Sequence, residues 1–375
     1  AKNTNMGDPV GNESNYGTAW GGAVYINGIS GTGYSTLNVN NCTFRNNTAN
    51  YGGAIASSST NAVGKVYIKD SLFDDNHANS HPYNYSNGQY YFNGKWYSHG
   101  WGGAVYAYYT EVLNSTFVNN RGGNRSGFGG AISTYKGKFE DSKFINNTCY
   151  QGGAIADGHL AHGTSAVDTD SSKYEIDNCT FDNNKAQLSG GAVLTRNLGA
   201  YFFASYGDMV VNNSNFTNNY GGIYGGGAIM SSCPFIYNSN FINNSAYNYG
   251  GAVTAGYAEL GNVTFTNNSA AHSGALFCIE PYFIENTEVT FNDNYIIPRV
   301  LYDNGFTTND TEVQDGKVIV TSDLSFYVSG NRLWNLDPAW TKWIPLNGTE
   351  YLPLMYIYKD SPAMNKGVGY YGFDY

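Results

Sequence analysis

The sequence predicts an all-β chain wound as a single-stranded parallel β-helix, a solenoid of about nine rungs with loop insertions and a C-terminal β-rich cap. Three observations predict it. Two short motifs alternate strictly along the chain, nine of each. Their period is short where nothing is inserted: Phe216 to Phe241 is 25 residues and Phe241 to Phe265 is 24. The third is composition. Gly, Asn, Tyr and Thr sit low on the helix-propensity scale, and runs of Ala, Leu, Glu and Lys are missing.

The rest of the composition narrows the class. Only 13% of the 375 residues are charged while 16% are aromatic, the reverse of a disordered chain. A net charge of −10 argues against nucleic acid as a partner, because counterion displacement needs a cationic surface. No run of eighteen apolar residues occurs, so no transmembrane helix is expected.

The first motif is Gly-Gly-Ala followed by Ile or Val. It starts at Gly21, Gly52, Gly102, Gly129, Gly152, Gly190, Gly226 and Gly250, and degrades at Ser273 to Leu276. The second is built on Phe44, Phe73, Phe117, Phe144, Phe181, Phe216, Phe241, Phe265 and Phe291, each followed by Asn or Asp at +2 and Asn at +3. The +3 column is invariant: Asn47, Asn76, Asn120, Asn147, Asn184, Asn219, Asn244, Asn268 and Asn294. At −3 the residue is Asn or Asp until Glu288, at −2 it is Ser or Cys until Val263, and at +5 small residues dominate, from Ala49 to Ala270.

A period of 24–25 residues suits one coil of three short strands and three turns, in which every column becomes a stack about 4.8 Å apart. Asn suits such columns twice over. It tolerates the left-handed conformation of a sharp bend, and its amide can donate to one neighbour while accepting from the other. The Phe column predicts an inward aromatic stack, and the Gly-Gly pair predicts the turn before the next strand.

Residues 1–19 read as an N-terminal tether or first-rung cap, 20–294 as the β-helix, and 295–375 as a C-terminal capping or association region. Loops are expected at about 56–66, 79–101, 157–174 and 195–209. The second is the most aromatic, and its Tyr83, Tyr85, Tyr90, Tyr91, Trp96 and Tyr97 are the candidate partner contacts, since rigid Tyr and Trp faces give contact area at low entropy cost. The tail holds alternating runs at Lys317 to Val320 and Phe326 to Val328 that suit a cap over the open end.

The pairing of Gly-Gly-Ala-Ile with Phe-x-Asn-Asn, as in Asn41 to Ala49 followed by Gly52 to Ile55, resembles the repeats of chlamydial polymorphic outer-membrane proteins. It is similar also to the adhesin-like surface proteins of methanogenic archaea, and the stretch Ser361 to Gly367 resembles an element that closes such helices. The resemblance covers residues 20–294. It implies a right-handed coil and a secreted, cell-surface protein of attachment or wall coating, with Ala1 following a removed signal peptide. A counterpart of the barrel segment that anchors the chlamydial proteins is not expected within these residues.

No catalytic, cofactor-binding or metal site is predicted, and the chain is not expected to be an enzyme. Glycoside hydrolysis needs two carboxylates facing one groove. Asp74 and Asp75 read as substitutions in the Phe turn, and Asp157, His159, His162, Asp168 and Asp170 as a solvated polar loop. Cys42, Cys149 and Cys179 fall in small-residue columns and read as buried thiols, without a disulfide framework. Of the Asn-x-Ser/Thr triplets, Asn12, Asn84, Asn124, Asn309 and Asn347 are the candidate glycosylation sites; those of the −3 column are expected to be too buried.

The reading that results is a non-catalytic extracellular rod that presents loops, 79–101 above all, to cell-surface glycans or proteins of a partner cell. The alternatives are a structural subunit that binds copies of itself in a filament, sheath or surface layer, and a polysaccharide lyase or glycoside hydrolase.

Overall fold

The computed structural model describes residues 19–26, 35–57, 64–79, 100–124, 127–157, 174–195, 209–271, 273–284 and 287–296, and the backbone of short strands within 82–97 and 313–356. Among these residues the protein is all-β and its repeats pair in parallel.

Each repeat contributes three strand segments. The first follows Gly-Gly-Ala. Its leading residue pairs with the equivalent residue of the next repeat, from Val24 and Ile55 through Val105, Ile132, Ile155, Val193, Ile229 and Val253 to Leu276. The second carries the Phe, and all nine Phe residues pair in unbroken register from Phe44 to Phe291. The third follows the +3 Asn; Thr48–Ala49 pairs with His77–Ala78, and Cys149 with Ala186. This last segment continues to Tyr295–Ile296, which pairs with Ser269–Ala270, two residues past the expected boundary at 294.

Alternation along these segments supplies the core. Ala54, Ile55, Phe73, Val112, Phe139, Phe144, Val211 and Leu260 are fully buried. Consecutive Phe rings stack with centroids 4.6–5.1 Å apart and planes within 18°. Stacked pairs add about 0.5–1.5 kcal/mol beyond the area they bury. Phe44 and Phe291, at the two ends of the column, are only half-buried.

Insertions leave this register intact. Where the chain is continuous, one strand runs from the Gly-Gly turn to the next bend, as Val105–Leu113 and Ile132–Glu140 do. In the following repeat it is split into Ile155–Asp157 and Tyr174–Asp177, and both halves still pair with Ile132–Glu140. The chain therefore leaves one strand line and re-enters it. One expectation is corrected here: Asp157 belongs to the strand and is 1% exposed, not part of a solvated loop. His159, His162, Asp168 and Asp170 lie outside the described residues.

The 79–101 insertion forms an antiparallel three-stranded sheet of Pro82–Tyr83, Tyr90–Phe92 and Lys95–Tyr97. Beyond the repeats, Phe326–Val328 pairs in parallel with Leu276–Phe283, and Lys317–Val318 pairs antiparallel with Tyr295–Ile296. These pairings occupy the edge left by the last repeat.

Candidate functional site

The described chemistry is arranged in columns, so the candidate site is a set of surfaces. The inner reference is the +3 Asn column. From Asn47 to Asn268, each side-chain amide donates to the Oδ1 of the next Asn at 2.8–3.0 Å, the column ending at Asn294. Each from Asn76 onward also donates to the backbone carbonyl of the Phe in the preceding repeat, as Asn147 does to Phe117 at 3.0 Å. The backbone N–H of each Asn up to Asn268 meets the same Oδ1, Asn120 N–H on Asn147 Oδ1 at 3.0 Å for example. These side chains are 0–4% exposed. A buried amide with every hydrogen engaged avoids the desolvation cost of an orphaned donor.

The left-handed conformation falls elsewhere. Positive φ values of 45–58° occur at −3, from Asn41 to Asn262, and at +2, from Asn46 to Asp293, and not at +3. The two properties that make Asn suitable are thus divided between columns. The Asp residues among them fill the same bends, and Asp75 has φ 54° with its carboxylate 2.8 Å from His77 Nε2; Asp74, by contrast, ends the preceding strand and pairs with Arg45 at 2.9 Å.

The −3 column corrects a second expectation. Asn41, Asn114, Asn178, Asn213, Asn238 and Asn262 are exposed, because the left-handed bend turns these side chains outward. They form a surface ladder instead, in which Asn114 donates to Asp70 at 2.6 Å, Asn178 to Asp141 at 2.7 Å and Asn262 to Asn238 at 3.0 Å.

The −2 column does more than fill space. The Ser71 N–H donates to Ser115 Oγ at 3.0 Å and the Ser115 N–H to Ser142 Oγ at 3.1 Å, so each hydroxyl satisfies a backbone donor at the bend of the preceding repeat. Its own proton goes to a carbonyl two residues back, as from Ser115 to Leu113. Cys179 takes this position with its N–H on Ser214 Oγ, and burial pushes its thiol up to about 12. Cys149 is likewise pushed up to about 12 by burial. Cys42 is exposed, contrary to the expectation of a buried thiol. Among the described residues its column continues on one side only, towards Ser71.

The Gly-Gly turn sets how closely repeats approach. Gly152 has φ +63°, and a Cβ on Gly153 would lie 1.9 Å from the Gly191 carbonyl oxygen. Any side chain there would collide with the backbone of the next repeat. Just before this turn stands an aromatic group that alignment on Phe did not reveal: Trp20, Tyr51, Trp101 and Phe128. Trp20 stacks on Tyr51 at 4.3 Å, Tyr51 meets Trp101 edge-on at 5.1 Å, and Tyr106 lies against all three aromatic residues from Trp20 to Trp101. Alignment on Gly-Gly would have exposed the column.

A second feature missed from sequence is a charged strip. Tyr67, Glu111, Lys138 and Glu175 occupy one register position in successive repeats. Lys138 pairs with Glu140 at 2.8 Å, which holds its ammonium above the ordinary lysine range, and Tyr109 donates to Glu111 at 3.1 Å. Burial first, then the Glu111 charge, pushes the Tyr109 hydroxyl up. Both bonds join residues two apart in one strand, and so run across the strip.

Of the predicted contact residues, Tyr83, Tyr90, Tyr91, Trp96 and Tyr97 lie on the strands of the small antiparallel sheet, with Tyr91 in register with Trp96, and Tyr85 lies outside the described residues. Of the predicted glycosylation sites only Asn124 is described, and it is exposed; Asn12, Asn84, Asn309 and Asn347 lie outside the described residues. No group of three or more His, Cys, Asp or Glu residues that could hold a metal ion occurs among the described residues.

Comparison with known proteins finds one likeness. Residues 41–58 and 178–196 match the Chlamydia polymorphic membrane protein repeat, each spanning a Phe motif and the Gly-Gly turn after it. No curated protein and no solved structure matches the chain. No helix among the described residues is long and apolar enough to cross a membrane, which says nothing of a β-barrel. The chain is a β-rich repeat protein similar to this membrane-protein repeat.

Proposed function

We propose that the chain is a right-handed parallel β-helix and that it serves, without catalysis, as the rod of a cell-surface protein in adhesion or surface coating. The observation that carries this reading is the unbroken run of Asn and Phe columns across nine repeats. A scaffold of this kind repeats one coil and varies only what it inserts between strand lines, as with 158–173 and 79–101. The likeness to a repeat of membrane proteins supports a place at the cell surface. The non-catalytic reading is supported by how the carboxylates are used. Asp74 pairs with Arg45, Asp70 and Asp141 accept from bend amides, and Glu140 pairs with Lys138.

Within this reading, the aromatic sheet of 82–97 is the contact for glycans or proteins of another cell. Two measurements test it. Antibody labelling of intact cells should detect the repeat region, and a variant lacking residues 80–99 should stay on the surface but lose attachment to glycan-coated or cell-coated supports. Undiminished attachment would sink the assignment to this insertion. Labelling that needs permeabilised cells would sink the surface role itself.

A further inference from the structure

The Asn-x-Ser/Thr triplets are sorted by the fold. None coincides with the buried +3 column, because the small +5 residue, as in Ala49, Cys149, Ala186 and Ala246, leaves no hydroxyl two residues on. Four triplets begin instead at one exposed bend, at Asn41, Asn114, Asn178 and Asn262. We propose that these four asparagines carry N-linked oligosaccharides along one edge of the stack. This rests on the cell-surface reading above.

Three features support it. In three of the four, strand alternation turns the middle residue of the triplet inward, with Ser115, Cys179 and Val263 buried, while Cys42 at the end of the column is exposed. It leaves Asn and Thr on the same outer face, so that Thr43 is exposed and Thr116, Thr180 and Thr264 half-buried. In the triplets at Asn212 and Asn267, by contrast, the hydroxyl residues Ser214 and Ser269 are buried. Next, the described bend bonds use one N–H of the amide, from Asn114 to Asp70, Asn178 to Asp141 and Asn262 to Asn238. A glycosylated amide keeps one N–H, so the surface ladder survives; the +3 amides have spent both. Finally, the acceptors skip at least one repeat, about 10 Å or more at the spacing of neighbouring strands. The bends between them, at Asp70, Asp141, Asn213 and Asn238, are followed two residues on by Leu72, Lys143, Asn215 and Asn240, which carry no hydroxyl.

The step needs a lipid-phosphate-linked oligosaccharide and its transferase. The amide nitrogen bonds to the anomeric carbon, the bond from that carbon to the phosphate oxygen breaks, the lipid phosphate leaves with the electron pair, and the amide proton passes to a transferase base. The test is glycopeptide mass spectrometry on the full chain released from the surface of the cells that make it. Oligosaccharide mass is expected at Asn114 and Asn178, and should vanish one site at a time in Thr116→Val and Thr180→Val, which keep the asparagine and its bend. Unmodified peptides at all four positions, modification confined to the second bend at Asn46, Asn146 and Asn243, or modification that persists in the Val variants would each overturn the proposal. Protein recovered only from inside the cells would overturn the surface reading instead.

Discussion

Asn178 and Asn184 lie six residues apart in one repeat and do opposite things. Asn184 is 0% exposed, accepts from Asn147 and donates both to Asn219 and to the Phe144 carbonyl. Asn178 is exposed, has φ 49° and makes one surface bond to Asp141. The amide group is identical; the backbone conformation beneath it is not. A left-handed residue turns its side chain out to the surface, whereas the extended residue after the second bend turns its side chain in. One column therefore holds repeats together internally, and the other shapes the corner and adds single bonds between repeats at the surface.

The sharpest way to break this comparison is in the interior. Phe181→Ala removes a ring stacked on both Phe144 and Phe216 and should cost about 3–5 kcal/mol. The measurement is the shift of the urea unfolding midpoint, and a shift no larger than that of Phe44→Ala, at the half-buried end, would contradict the stack. Asn147→Ala comes next. It removes the acceptor of both the backbone N–H and the side-chain amide of Asn120, at roughly 1–3 kcal/mol for each orphaned donor. The same denaturation series reads it, with Asn147→Asp expected to be only partly tolerated because a carboxylate has no N–H for Asn184.

The outer bend should respond less and differently. Asn178→Ala keeps the left-handed backbone but loses the polar side chain that makes it tolerable, for up to about 1–2 kcal/mol. Asn178→Asp should cost about 0.2–1 kcal/mol, since the bend accepts Asp, as at Asp70 and Asp141 with φ 50°, but the new carboxylate faces Asp141 in place of a donor. If Asn178→Asp were as harmful as Asn147→Ala, the division between the columns would be wrong.

The thiols give the mildest probe. Cys42 should react with an alkylating reagent in the folded protein, while Cys149 and Cys179 should stay protected until the chain unfolds, which peptide mapping after timed alkylation would show. Burial pushes both protected thiols up to about 12, against an unfolded value near 8.5. A raised thiol pKa means that the unfolded chain ionises first. Their contribution to stability is therefore complete below about pH 8.5 and is lost as pH rises towards 12. Cys179→Ser should flatten part of that alkaline decline in the unfolding midpoint.

Much of this architecture was legible because the repeat writes its own alignment. Invariant Asn at +3 and Phe at the origin identified the two inner columns, and the short period suggested three strands per coil. Other columns were misread for a definite reason. Alternating Asn and Asp at −3, as in Asn114 and Asp141, has the same composition whether the residue faces in or out. Ser115 and Cys179 look like small fillers, yet the hydroxyl closes a backbone bond in the neighbouring repeat that no single repeat discloses. The aromatic cluster of Trp20, Tyr51, Trp101 and Phe128 was hidden because insertions of unequal length separate it from the Phe used for alignment.

The sequence by itself determined that the chain is β-rich, that its repeats are equivalent, and which residue types recur at each position. Recurrence at a fixed spacing is a property of the covalent chain, visible without coordinates. Burial and hydrogen-bond direction were decided only by the tertiary structure, since both depend on which face each bend presents and on what the next repeat places opposite. The left-handed φ at Asn178 and its absence at Asn184 set those faces.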